Sequence, residues 1–142
     1  MDYRKLAEEF LQNAYRLSRK NMHKEINESM HGEIFTIQYI ASQEGPVQPS
    51  EISKMTRVSS ARTAATLNSL ESKGLITRRV DCKDRRKVLV ELTQKGKEEA
   101  KKHFQMTLKK TAKVLSELGE HDATEYVRIM GRLSEINANF LE

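Results

Sequence analysis

Both prolines of the chain, Pro46 and Pro49, together with Gly45 and Gly74, restrict the middle of the sequence to short elements. Gly45-Pro46 closes whatever precedes it, because proline lacks an N–H and disfavours helical backbone in the residue before it. Pro49 suits the first position of a helix, where its missing N–H would be unpaired anyway. A short helix is therefore predicted from about Pro49 to Met55, with Ile52 and Met55 on one face. Thr56-Arg57-Val58 reads as a tight connection, and Ser59 as the N-cap of a further helix that Gly74 ends. Inside that helix Thr63, Leu67 and Leu70 share a face with Thr66. Ser60, Ala61, Arg62, Ala64, Ala65, Asn68 and Ser69 face away from it. Two short helices with so brief a join form a helix-turn-helix.

Two β-runs follow, Leu75 to Val80 and Lys87 to Leu92. In the second, Val88, Val90 and Leu92 alternate with Lys87, Leu89 and Glu91, as a half-buried strand requires. Asp81 to Arg86 joins the runs as a hairpin tip. From Asp81 to Lys87 every residue except Cys82 is charged, four of them basic, and there is no glycine. Mere solvation of a tip does not need so much charge. Strands that anchor a projecting basic loop beside a helix-turn-helix make a winged helix, and the loop is its wing.

The chain ends read as helices. Leu6, Phe10, Ala14 and Leu17, flanked by Ala7 and Leu11, give one broad apolar face from about Tyr3 to about Lys20. Asn21 to Gly32 is polar and reads as a helix end and a loop. Ile34, Ile37 and Ile40/Ala41, with Phe35 and Tyr39 adjacent, predict a second helix. After Thr93 the helical period returns at Ala100, Phe104, Leu108, Thr111/Ala112, Leu115 and Leu118, until Gly119 breaks it. The last helix shows Val127, Met130, Leu133, Ile136 and Phe140. The expected fold is mainly α (α+β), a winged helix-turn-helix with long N- and C-terminal helices. Its parts are 1–32, an N-terminal dimerisation helix and loop; 33–96, the DNA-binding winged helix; and 97–142, linking and dimerisation helices. At 142 residues these form one integrated domain.

The net charge of +5 is unevenly placed. Ten Lys/Arg between Lys54 and Lys87 face only Glu71, Asp81 and Asp84, so this stretch carries +7 and the remainder −2. A basic centre between slightly acidic ends is the footprint of a polyanion-binding module. One cysteine excludes an internal disulfide framework and fits a reducing compartment. The start, MDYRKLAEEF, has no apolar leader, and no apolar run approaches the ~20 residues of a membrane span. A cytoplasmic location is expected. His23, His31, His103 and His121 show no metal-ligand spacing, and there is no glycine-rich phosphate loop or nucleophile–histidine arrangement. Neither an enzyme, a cofactor nor a metal is expected.

The run Leu70-Glu71-Ser72-Lys73-Gly74-Leu75-Ile76-Thr77-Arg78, then Asp81-x-x-Asp84-Arg85-Arg86, then Leu92-Thr93-x-x-Gly96, resembles the signature of the MarR (multiple antibiotic resistance regulator) family. The resemblance covers essentially the whole chain. It implies a homodimeric winged-helix regulator, expected to be a repressor, that binds pseudo-palindromic promoter DNA. It also implies a pocket between the dimer helices and the winged helix for a small effector, commonly an aromatic or phenolic acid. Departures from the family pattern are Ala65, where many members carry arginine, and Cys82, where relatives often have proline. Oxidant-sensing members keep a cysteine in the first helix, which has none here.

The residues expected to meet DNA are Ser60, Ala61, Arg62, Ala65 and Asn68 on the helix, and Arg79, Lys83, Asp84, Arg85, Arg86 and Lys87 on the wing. Arginine's planar fork suits phosphates and narrow minor grooves, while Arg, Ser and Asn also bond base edges. Asp84 is expected to orient Arg86 rather than to touch phosphate. Dimerisation is assigned to Leu6, Phe10, Leu17, Leu118, Val127, Met130, Leu133, Ile136 and Phe140, since each large side chain left in water forfeits about 1.5–3 kcal/mol. The rival reading is a winged helix used as a protein-interaction module without specific DNA binding. Such a module would more often carry apolar residues where this chain is basic.

Overall fold

The computed structural model describes residues 1–20 and 32–136. Its elements are α1 (Tyr3–Ser18), α2 (Glu33–Ser42), α3 (Pro49–Thr56), α4 (Ser60–Ser72), β1 (Ile76–Val80), β2 (Val88–Leu92), α5 (Gln94–Leu118) and α6 (Glu120–Glu135). This is the mainly helical winged-helix order predicted above. The loop expected at Asn21–His31, including His23 and His31, and the dimer residue Phe140 lie outside the described residues.

Local signals start and stop these helices where the sequence places them. Asp2 accepts hydrogen bonds from the N–H groups of Arg4 and Lys5 at the head of α1, and Ser59 accepts from that of Arg62 at the head of α4. Gln48 and Glu51 form a reciprocal capping box over α3, with Pro49 in its first turn. Arg57, with φ +54°, turns the chain out of α3 in the left-handed conformation. Gly74 ends α4 at φ +73°, and the Leu75 N–H returns to the Leu70 carbonyl at 3.0 Å.

One core holds the winged helix together. Ile37 and Ile40 of α2, Val47, Ile52 of α3, Leu67 and Leu70 of α4, Leu75, Ile76 of β1, Val90 of β2 and Ala100 of α5 are all buried. The hairpin pairs antiparallel from Ile76 opposite Leu92 to Val80 opposite Val88. Its base is therefore in the core and its far end is exposed. Val47 adds an isolated bridge to β2, its N–H and carbonyl both paired with Val90 at 3.0 and 2.8 Å.

The spacing Leu92-Thr93-x-x-Gly96 now has a physical cause. Thr93 Oγ1 donates to the Gly74 carbonyl at 2.6 Å and accepts the Gly96 N–H at 3.0 Å. A Cβ at position 96 would sit 2.0 Å from the Leu75 carbonyl oxygen, so only glycine lets α5 start this close to the end of α4.

Three expectations need correction. Ala41 is exposed, and Thr36 takes its place in the buried stripe of α2, its hydroxyl satisfied by the Gly32 carbonyl at 2.9 Å. Met55 does not join Ile52 in the core but is 52% exposed, because it faces an open cavity rather than packed side chains. Ser69 does not simply face away, since Glu33 of α2 accepts its hydroxyl hydrogen bond.

The chain forms two compact units, Met1–His103 and Phe104–Glu142. In the first, α1 has no buried residue, and Leu6, Phe10 and Leu17 are exposed. In the second, α6 has none either, and Leu118, Val127, Met130, Leu133 and Ile136 are exposed.

Candidate nucleic-acid interface

Helix α4 buries Thr63, Leu67 and Leu70 and turns Ser60, Ala61, Arg62, Ala64, Ala65 and Asn68 to solvent. The buried Thr63 hydroxyl accepts from Ser53 Oγ at 2.9 Å, which pins α4 to α3 without leaving a polar atom unpaired. The outward face is small near Ala61 and Ala65, so backbone there can approach a surface closely. Arg62 and Asn68 stand on either side of it.

The wing is ordered by its own carboxylates. Asp84 Oδ1 accepts both the Arg86 N–H at 3.1 Å and Arg86 Nε at 3.2 Å. Asp81 Oδ1 accepts the Lys83 N–H at 3.0 Å, and the Asp81 N–H closes the tip onto the Lys87 carbonyl at 2.9 Å. These bonds with Arg86 hold the Asp84 carboxyl below its ordinary pKa. Asp84 thus orients Arg86, whose side chain is 91% exposed. Cys82 is an exposed free thiol beside it.

Not all of the basic band is available. Arg79 Nη2 is paired across the hairpin with Glu91 Oε1 at 3.1 Å. Arg78 clamps Glu71, lowering that carboxyl's pKa and raising its own. Lys73 pairs with Glu33 at 2.6 Å, and this bond, with that of Ser69, lowers the Glu33 pKa. Of the ten cations between Lys54 and Lys87, Lys73, Arg78, Arg79 and Arg86 are in ion pairs. Lys54, Arg57, Arg62, Lys83, Arg85 and Lys87 form none among the described residues. The tie from Arg78 to Asn68 and Glu71 was not foreseen, because a lone arginine on a strand carries no signal of what lies across from it.

Beneath the helix-turn-helix lies a cavity of about 570 Å³. Phe35, Ile52, Met55 and Val58 supply its apolar wall, Thr36, Thr63 and Thr66 its hydroxyls, and Arg57 and Arg62 its cations. Arg62 therefore belongs both to this cavity and to the outward face of α4.

With this geometry in view, the comparison with known families is decisive. Residues 33–111 match the family described as winged helix DNA-binding domain. The chain belongs to that family. Two relatives from Bacillus subtilis (strain 168) share 89-residue stretches with this winged-helix chain. The HTH-type transcriptional repressor YetL is 27% identical over 63% of the chain and 53% of its own length. The uncharacterized HTH-type transcriptional regulator YpoP is 34% identical over 60% of the chain and 62% of its own length. The match thus spans about half to three-fifths of these relatives. The crystal structure of Streptococcus pneumoniae FabT in complex with DNA superimposes with a TM-score of 0.63 at 26% identity, covering 92% of this chain and 91% of that one. The solved winged-helix neighbours are MarR-family regulators, as the sequence signature implied. No helix among the described residues is long and apolar enough to cross a membrane, and no three His, Cys, Asp or Glu side chains there are placed to hold a metal.

Proposed function

We propose that the chain is a transcription regulator, a repressor, that binds a pseudo-palindromic double-stranded DNA site as a homodimer. The observation that carries this is the coincidence of the free cations with the two projecting surfaces of a DNA-binding domain. Arg62 stands on the open face of α4, and Lys83, Arg85 and Lys87 stand on the wing, with Arg86 held outward by Asp84. Placing α4 in the major groove brings Ser60, Ala61, Arg62, Ala65 and Asn68 to base edges and the wing to the flanking backbone or minor groove. The DNA bound by FabT and the repressor name of YetL support the reading.

Dimerisation follows from the uncovered stripes at both chain ends. Pairing α1 and α6 with their copies across a two-fold axis would remove them from water. It would also set two recognition helices about 34–36 Å apart, the spacing of successive major grooves. The cavity beside Arg62, lined by residues 32–66 alone and so not the pocket between dimer helices and winged helix that the resemblance implies, is the proposed site of a small aromatic or phenolic effector. An acidic group there would compete with DNA for the Arg62 guanidinium.

The test is affinity for the DNA upstream of the chain's own coding region, measured over a salt series beside a scrambled duplex. Each phosphate neutralised should contribute about 0.9 to the slope of log affinity on log salt. A steep slope with clear preference for the genomic fragment is expected. A flat slope, or equal affinity for scrambled DNA, returns the protein-interaction module as the better reading.

A further inference from the structure

Asn68 lies on the exposed face of α4, yet its amide is held in one orientation. Arg78 Nη2, on β1, donates to Asn68 Oδ1 at 2.7 Å. The same guanidinium holds Glu71, one helical turn further on, through Nε and Nη2, each at 3.1 Å. A guanidinium carries donors only, so the amide atom facing it must be the oxygen. Turning the amide over would set N–H against N–H. The two-point grip on Glu71 fixes the plane of the guanidinium, and that plane fixes the amide.

What remains for a partner is the Nδ2 amine, which has no bond among the described residues, and the second lone pair of the oxygen. An unconstrained asparagine reads adenine with both amide atoms, its oxygen taking the N6 amine and its nitrogen giving to N7. Here one of the oxygen's two lone pairs is already given to the Arg78 guanidinium, which weakens its hold on an N6 amine.

We propose that Asn68, oriented by Arg78, reads a base edge foremost through Nδ2 and therefore favours acceptors. Guanine, with O6 and N7, is the best match; thymine, with O4, and adenine, through N7, come next; cytosine, which presents an amine, is refused. This rests on the reading that α4 enters the major groove. Arg78 is a positioning residue and touches no base.

The test is a competition series in which every base pair of a half-site is substituted in turn. It compares the wild type with Asn68→Ala, Asn68→Asp and the double variant Arg78→Gln/Glu71→Gln. Aspartate at 68 keeps an acceptor toward Arg78, and so keeps the tie between helix and strand, but turns a second acceptor outward. The wild type should refuse cytosine at one base pair per half-site by roughly tenfold to a hundredfold. Asn68→Ala should flatten the profile at that pair alone. Asn68→Asp should reverse it in favour of cytosine, with an unfolding midpoint near that of the wild type. Freeing the amide in the double variant should raise adenine relative to guanine there; if that variant does not fold, Asn68→Asp decides. A wild-type profile in Asn68→Asp would overturn the proposal and leave Asn68 as a strut for Arg78. A loss spread evenly over all positions in Asn68→Ala would overturn it in favour of a phosphate contact. A wild type with no base preference anywhere would instead defeat the DNA-recognition reading itself.

Discussion

The winged helix between Glu33 and Ala100 and the helices at the chain ends answer the same demand in opposite ways. Helices α2 and α4 have broken, partly polar patterns, yet they bury Ile37, Ile40, Leu67 and Leu70. Helices α1 and α6 carry cleaner apolar stripes and bury nothing. Apolar periodicity therefore says that a face needs covering, not that its own chain covers it. These uncovered stripes are the ones proposed above to pair across a two-fold axis.

Removing the uncovered helix entirely should have the largest effect. A chain ending at Gly119 is expected to sediment as a monomer and to lose specific DNA binding by about a thousandfold or more, down to the non-specific level. A well-folded monomer that still binds its site would break the contrast between the two regions.

Point changes sharpen it. Leu70→Ala, in the covered core, should lower unfolding stability by about 2–5 kcal/mol whatever the protein concentration. Leu133→Ala, on the uncovered stripe of α6, should instead make the unfolding midpoint depend more steeply on concentration. Equal, concentration-independent losses from both would mean that α6 is covered within its own chain.

The projecting surfaces form the other side of the comparison. Arg62→Ala should weaken binding by about 1–3 kcal/mol at particular base pairs, and an equal loss for every sequence would reassign it to phosphate. Arg86→Ala should lower affinity for all sequences and reduce the salt slope by about one, with thermal unfolding unchanged.

Acid should have the smallest effect. Glu33 and Glu71 have lowered pKa values in the folded chain because of Lys73 and Arg78, respectively. Their contribution is complete above the usual glutamate value of 4.5 and is lost as pH falls below it, when the folded state must take up protons. Unfolding midpoints should be indifferent to these pairs near neutrality. Glu33→Gln should blunt the decline below that pH, and a decline of unchanged depth would show that the pair with Lys73 contributes nothing.

The elements were legible where glycine, proline and capping residues punctuate the chain. Ser59, Gly74 and Gly119 act as those signals imply, and Pro49 sits in the first turn of α3. The Asp84–Arg86 bond was also legible, because two residues of sequence are all it spans. Contacts between distant segments were not. Val47 looks like loop, and only the presence of Val90 makes it a bridge. Thr36 looks polar, and only the Gly32 carbonyl makes its burial cheap. The partners of Arg78 and Arg79 depend on the register of the hairpin against α4 and β2, which charge counting ignores. Of the ten cations of the basic band, four are therefore held in ion pairs, and the other six form none among the described residues.

Thr93 carries a consequence for local opening. One hydroxyl bonds both the Gly74 carbonyl, just past the end of α4, and the Gly96 N–H in the first turn of α5. Loosening the first turn of α5 displaces Thr93 and strips the Gly74 carbonyl of its donor, whereas unwinding α4 leaves the Gly96 N–H its acceptor, which is Thr93 itself. Amide exchange at the end of α4 should therefore follow opening at the start of α5, and not the reverse. The recognition helix therefore takes the rigidity of its far end from the residue that begins the next helix.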